Sequence, residues 1–111
     1  FLQLRKLLPE KFEWIKSRKR LILETELQHH CVWSYADSIS ADRCAIYSFV
    51  DDTGVYAEDK KPRRYTIEFC RNNDGKYQIR QVQGKFNAEN TTMMREYIQS
   101  LLDKQMDNKV A

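Results

Sequence analysis

The run His29-His30-Cys31-Val32-Trp33-Ser34-Tyr35 sets two imidazoles, a thiol and a phenol side by side. Where such a run opens a helix, the first-turn N–H groups and the helix dipole favour an anion and depress a thiol pKa. A neighbouring imidazole then takes the proton, as a cysteine nucleophile requires. On that reading Cys31 is the nucleophile, His29 or His30 the base, and Glu68 or Asn87 the orienting group. The grouping His30, Tyr35 and Glu68 points instead to nucleotide transfer. The candidate catalytic set is therefore His30, Cys31, Tyr35 and Glu68. A plainer reading competes with it: adjacent residues of an extended segment point opposite ways, Cys31 is a small buried hydrophobe, and one His bonds locally. Residue types leave the choice between enzyme and binding module open. A metal would need Cys44, Cys70 or a carboxylate brought to the same run, and no spacing selects that arrangement, so neither metal nor cofactor is expected.

Two further constellations carry polar chemistry. Gln81-Val82-Gln83-Gly84-Lys85-Phe86-Asn87 follows a strand-like segment, and its amides can bond backbone or the edge of a ligand. Gly84 can supply a turn with positive φ. With His29, the residues Gln81, Gly84 and Asn87 make a candidate polar pocket. The other constellation is basic. Lys16, Arg18, Lys19 and Arg20 form one run and Lys60, Lys61, Arg63 and Arg64 a second. Such clusters neutralise phosphates, with Trp14 and Tyr65 nearby to stack on bases. Their other reading is a solvated helix face and a solvated loop.

The frame for these residues is small. The chain has 111 residues, 41% of them hydrophobic and 32% charged, which fits one folded domain rather than a disordered tail. No stretch approaches the ~20 apolar residues of a membrane-spanning helix. The start, Phe1-Leu2-Gln3-Leu4-Arg5-Lys6, does not read as a signal peptide and lacks an initiator Met, so it is expected to end a longer region. Three cysteines, Cys31, Cys44 and Cys70, make no disulfide framework, and a reducing cytoplasm is the expected location. Net charge is +3. Residues 1–30 hold seven Lys and Arg against four Asp and Glu, whereas residues 31–111 are balanced, so the excess lies at the N-terminal end.

Patterning supplies the elements. Pro9 suits the first turn of a helix, and Phe12, Ile15, Ile22 and Leu23 recur as one apolar stripe, so residues 1–28 read as helical in one or two pieces. Residues 31–40 read as a short second helix. Cys44–Val50 is a buried strand, and Tyr65, Ile67 and Phe69 alternate with Thr66, Glu68 and Cys70 in a half-buried one. Asp74-Gly75 closes a hairpin onto residues 76–83. The last helix runs from Thr92 to Lys104 with Met94, Tyr97, Ile98 and Leu101 inward. The expected fold is α+β: a three-stranded antiparallel meander packed against N-terminal and C-terminal helices. Residues 1–28 form the helical segment, 29–104 the α+β domain and 105–111 a frayed tail.

The order of these stations resembles the PcfJ-like protein family. Its pattern runs from a His-Cys-Val element and a tyrosine, here His30, Cys31, Val32 and Tyr35, to an apolar strand at Ile46. It continues through Thr66, Ile67 and Glu68 to a Gln-x-x-Gly-x-x-Asn element at Gln81, Gly84 and Asn87. The likeness covers about residues 27–90. Where that pattern carries an Arg after the first apolar strand, this chain reads Phe49-Val50-Asp51. The resemblance implies a protein of mobile genetic elements, the conjugative plasmids and phages, with no settled activity. The resulting expectation is a cytoplasmic accessory domain that binds DNA or RNA, or assists its processing, beside other mobile-element proteins and away from membranes. A cysteine-nucleophile enzyme and a protein-interaction module are the alternatives.

Overall fold

Pro9 sets the first boundary. The residue before a proline is pushed to extended backbone, and Leu8 obeys at φ −93° and ψ 136°. Helix α1, Leu2–Leu7, therefore ends there, and Pro9 terminates a helix rather than opening one as its residue type suggested. The second boundary is Ser17. Its Oγ accepts from Arg20 N at 3.1 Å and its carbonyl from Leu21 N at 3.0 Å, capping α2, Arg18–Gln28. Between these two stops lies a three-residue strand, β1, Glu13–Ile15. The computed structural model describes residues 1–28, 43–85 and 90–105. The expected helix over 31–40 lies outside them.

The remaining strands are β2, Cys44–Asp51, β3, Arg63–Arg71, and β4, Tyr77–Gln83; the last helix is α3, Thr92–Leu102. Among the described residues they build an α+β fold around one antiparallel sheet of four strands in the order β1-β2-β3-β4. The three-stranded expectation is thus short by one. The missing strand is β1, which pairs Glu13 with Ser48, Trp14 with Tyr47 and Ile15 with Ile46. The expected stripe also fails. Phe12 and Ile15 belong to two different apolar clusters, while Ile22 and Leu23 of α2 stay 39% and 45% exposed.

The register decides which residues share a face. Ala45, Tyr47 and Phe49 of β2 join Tyr65, Ile67 and Phe69 of β3 in the main core, covered by Phe1, Leu4 and Leu8 from the α1 region and by Met94, Ile98, Leu101 and Leu102 of α3. The α3 set recurs at helical spacing, which places one stripe against the sheet. The opposite face carries Cys44, Ile46 and Ser48 of β2 and Arg64, Thr66, Glu68 and Cys70 of β3. Helix α2 lies across it, touching Ile15 and Ile46 through Leu21.

Turns hold the meander. Asn72 Oδ1 accepts from Asp74 N and Lys76 N at 2.9 and 3.0 Å, and Gly75 sits at φ +78°. In the longer loop, Asp51 takes the Val55 and Tyr56 N–H groups at 3.1 and 2.9 Å. Gly54 holds φ +70°, and a Cβ there would meet the Lys60 carbonyl carbon at 2.3 Å, so this crossing of the loop requires glycine. Gln105, at the start of the expected tail, pairs with both main-chain groups of Tyr77, donating at 2.9 Å and accepting at 2.7 Å. It extends the edge of β4.

Candidate functional site

The buried side of α2 is polar. Arg20, Glu24 and Gln28 are spaced four apart and so line one side of the helix, and it is this side that meets the sheet. Glu24 is fully buried, and its carboxylate accepts from Arg64 Nη1 at 2.9 Å, from Arg20 Nη1 at 3.2 Å and from the Thr66 hydroxyl. A buried carboxylate is tolerated only with partners of this kind. Arg64 Nη1 also donates to Ser48 Oγ at 2.6 Å. Arg20 grips Glu13 of β1 with Nε at 2.6 Å and Nη2 at 2.8 Å, and this guanidinium holds the Glu13 carboxyl below its usual range. Gln28 Nε2 reaches the Arg64 carbonyl at 2.9 Å, Thr66 Oγ1 at 3.2 Å and the Gln83 carbonyl at 3.4 Å. One helix is thereby bonded to three of the four strands, from β1 at Arg20 through β3 at Glu24 to β4 at Gln28, and reaches Ser48 of β2 through Arg64.

A second polar corner lies further along the same sheet face. Glu68 is buried and paired in register with Gln81. A bulge between Glu68 and Phe69 leaves Arg80 as the extra residue of β4, and its Nε lies 3.8 Å from Glu68 Oε2. Burial pushes the Glu68 carboxyl up, against the opposing pull of Arg80 and of the Cys44 thiol bonded to it. Burial, then the charge of Glu68, lifts Cys44 to about 11, so this thiol is no nucleophile at neutral pH. Cys44 faces Cys70 across the strands, both as free thiols, and Gln78 Nε2 donates to Cys70 Sγ at 3.4 Å.

Beyond the C-terminal end of α2 the polar face opens into a groove of about 400 Å³ lined by Leu27, Gln28, Pro62, Arg63, Arg64 and Lys85. Among the described residues its wall holds three cationic side chains, of which Arg63 is paired with Asp59 and Arg64 with Glu24. The floor is built, because Gln28 and Arg64 are fixed by the network beneath.

Of the residues singled out in the sequence, Glu68 and Gln81 come together on the polar face, and Gly84 is buried directly after β4. His29, His30, Cys31, Tyr35 and Asn87 lie outside the described residues. The basic set divides. Lys16, Arg18 and Lys19 are exposed around the start of α2, and Lys60 and Lys61 are exposed on the loop before β3. Arg63 is half-buried and paired with Asp59. Arg20 and Arg64, expected among the phosphate-contacting cations, turn inward onto Glu24. Sequence reasoning missed Glu24, Gln28, Ser48, Thr66 and the role of Cys44. The available signal was the four-residue spacing of Arg20, Glu24 and Gln28, hidden by reading α2 through its aliphatic residues. Among the described residues no three His, Cys, Asp or Glu side chains converge as metal ligands, and no helix is long and apolar enough to cross a membrane.

An α+β sheet domain with one apolar face and one ion-paired face is the class that these features define. The PcfJ-like protein family model matches residues 10–102, from the turn before β1 to the end of α3, and the chain belongs to that family. No curated protein and no solved structure gives a significant match to it.

Proposed function

We propose that this domain is an accessory component of a mobile genetic element, plasmid or phage, and that it binds nucleic acid. The observation that carries the reading is the placement of cations at both ends of α2. Lys16, Arg18 and Lys19 stand exposed at its start, while Lys60, Lys61 and Lys85 stand exposed near its other end. Eleven residues of helix separate them, a rise of about 16 Å, enough for the cations at the two ends to meet different phosphates of one nucleic acid. The first turn of α2 contains no acidic residue and three basic ones, Arg18, Lys19 and Arg20. Cations there oppose the helix dipole, and a local choice that weakens the helix is most often a functional one. Lys16 also lies over the Trp14 ring at 4.7 Å, leaving a cation and an aromatic surface together at the sheet edge.

The test is anisotropy of labelled DNA and RNA oligonucleotides across a salt series. Binding is expected to weaken steeply with salt, and replacing Lys60 and Lys61 by Ala is expected to lower the log–log slope by about 1 to 2. Salt-independent affinity, or none for either polymer, would remove the reading.

A second reading has one observation behind it. Ile22, Leu23 and Leu27 of α2 are 39%, 45% and 41% exposed, an apolar strip of the kind that marks protein contacts. It supports an interaction module, and a pull-down that depends on Leu23 while oligonucleotides fail to bind would favour it. The enzyme reading rests on Cys31 with His29 or His30, and nothing described bears on it.

A further inference from the structure

We propose that the groove beyond α2 seats one nucleotide unit of a single strand, with the phosphate on Arg64 and Lys85 and the base against Leu27 and Pro62. This rests on the nucleic-acid reading and narrows it to a place and a ligand chemistry. Arg64 is the centre of the argument. Among the described residues both hydrogen bonds of its guanidinium are made by Nη1, to Glu24 and to Ser48. The planar head is thus oriented by one nitrogen, and its Nε and Nη2 remain to donate as the parallel pair that suits a phosphate. Fixing the head beforehand lowers the ordering cost that a free arginine carries into binding.

The rest of the wall fits the other half of a nucleotide. Leu27 is 41% exposed, and Pro62 stands with it as apolar surface in the lining. Apolar side chains are among those that pack on an unstacked base. Exposed Leu27 and Lys85 leave the groove open to solvent, so a chain can pass through it, whereas a free small molecule is usually enclosed. Duplex DNA keeps its bases stacked and would offer Leu27 nothing to cover, which is the reason for choosing a single strand.

The experiment compares a fluorescein-labelled oligothymidine with an abasic oligomer of the same length, at low salt, on the whole chain. Lys85→Ala is expected to weaken both ligands by roughly three- to tenfold. Leu27→Ser is expected to weaken oligothymidine by about fivefold or more and to leave the abasic oligomer unchanged. Both side chains are exposed, so folding is retained, and unchanged melting curves check this. A wild-type chain that binds oligothymidine, is weakened by Lys16→Ala with Lys19→Ala, yet ignores both groove variants would overturn the groove and leave the nucleic-acid reading standing. Equal loss of both ligands in Leu27→Ser would remove the base seat. A wild-type chain that binds neither oligomer overturns the wider reading and the groove with it.

Discussion

The two faces of the sheet are built from the same strands and solve different problems. On one face Tyr47, Tyr65, Ile67 and Phe69 are fully buried against α3 and the α1 region, and Tyr47 meets Phe69 edge-on at 5.6 Å. On the other, the neighbours of those residues, Ser48, Thr66 and Glu68, are just as buried but polar, and α2 brings Glu24 and Gln28 to meet them. Apolar contact is non-directional and grows with area removed from water. A buried ion pair adds little net stability, because desolvation offsets its attraction, but losing one partner is strongly unfavourable. The first face therefore holds the domain together. The second fixes where α2 sits, and with it the groove and the flanking cations.

The largest change is expected on the apolar face. Phe69→Ala removes a fully buried ring and is expected to lower stability by about 3–5 kcal/mol, read as a shift of the urea midpoint. A loss no greater than that of any polar-face variant would break the comparison. Next comes Glu24→Ala, which takes the acceptor from Arg64, Arg20 and Thr66 at once. Both guanidinium groups retain some water, at 18% and 28% side-chain exposure, so the expected loss is about 2–3 kcal/mol. It should come with weakened oligonucleotide binding, since Arg64 loses its anchor. Stability lost with binding intact would detach the network from the groove.

The smallest effect has the opposite sign. Glu68 is raised from its ordinary 4.5 by burial, so its protonated form is the one the fold prefers. Its favourable contribution is whole below pH 4.5 and is lost as pH rises through the raised value. Glu68→Gln keeps the shape without the charge. It should match the wild type in acid and melt higher than it at pH 8 in differential scanning calorimetry. A variant less stable than wild type at pH 8 would mean that Arg80 outweighs burial there.

Much of the apolar face was legible. Tyr65, Ile67 and Phe69 alternate with polar residues at period two, and the strand is where that pattern puts it. Asp74-Gly75 marks the hairpin because a positive φ is needed there, and Gly75 adopts +78°. Met94, Ile98 and Leu101 announce α3 by helical spacing. The polar face resisted the same reasoning. Three residues, Glu13 to Ile15, are too few to show a period, and β1 exists because β2 offers a partner. In α2, Ile22 and Leu23 look like the inward side, yet Leu21, Glu24 and Gln28 occupy it. The basic runs were visible as runs, but that Arg20 and Arg64 leave them for one carboxylate was not.

From its own order of residues this chain determined a family, the three longer strands, the hairpin and the last helix, because periodicity and turn chemistry act between near neighbours. Tertiary structure alone decided which side of α2 is buried and which cations stay outside. Glu24 is tolerable in the interior only when Arg64 and Thr66, some forty residues away, arrive beside it, and no local pattern encodes a partner at that distance.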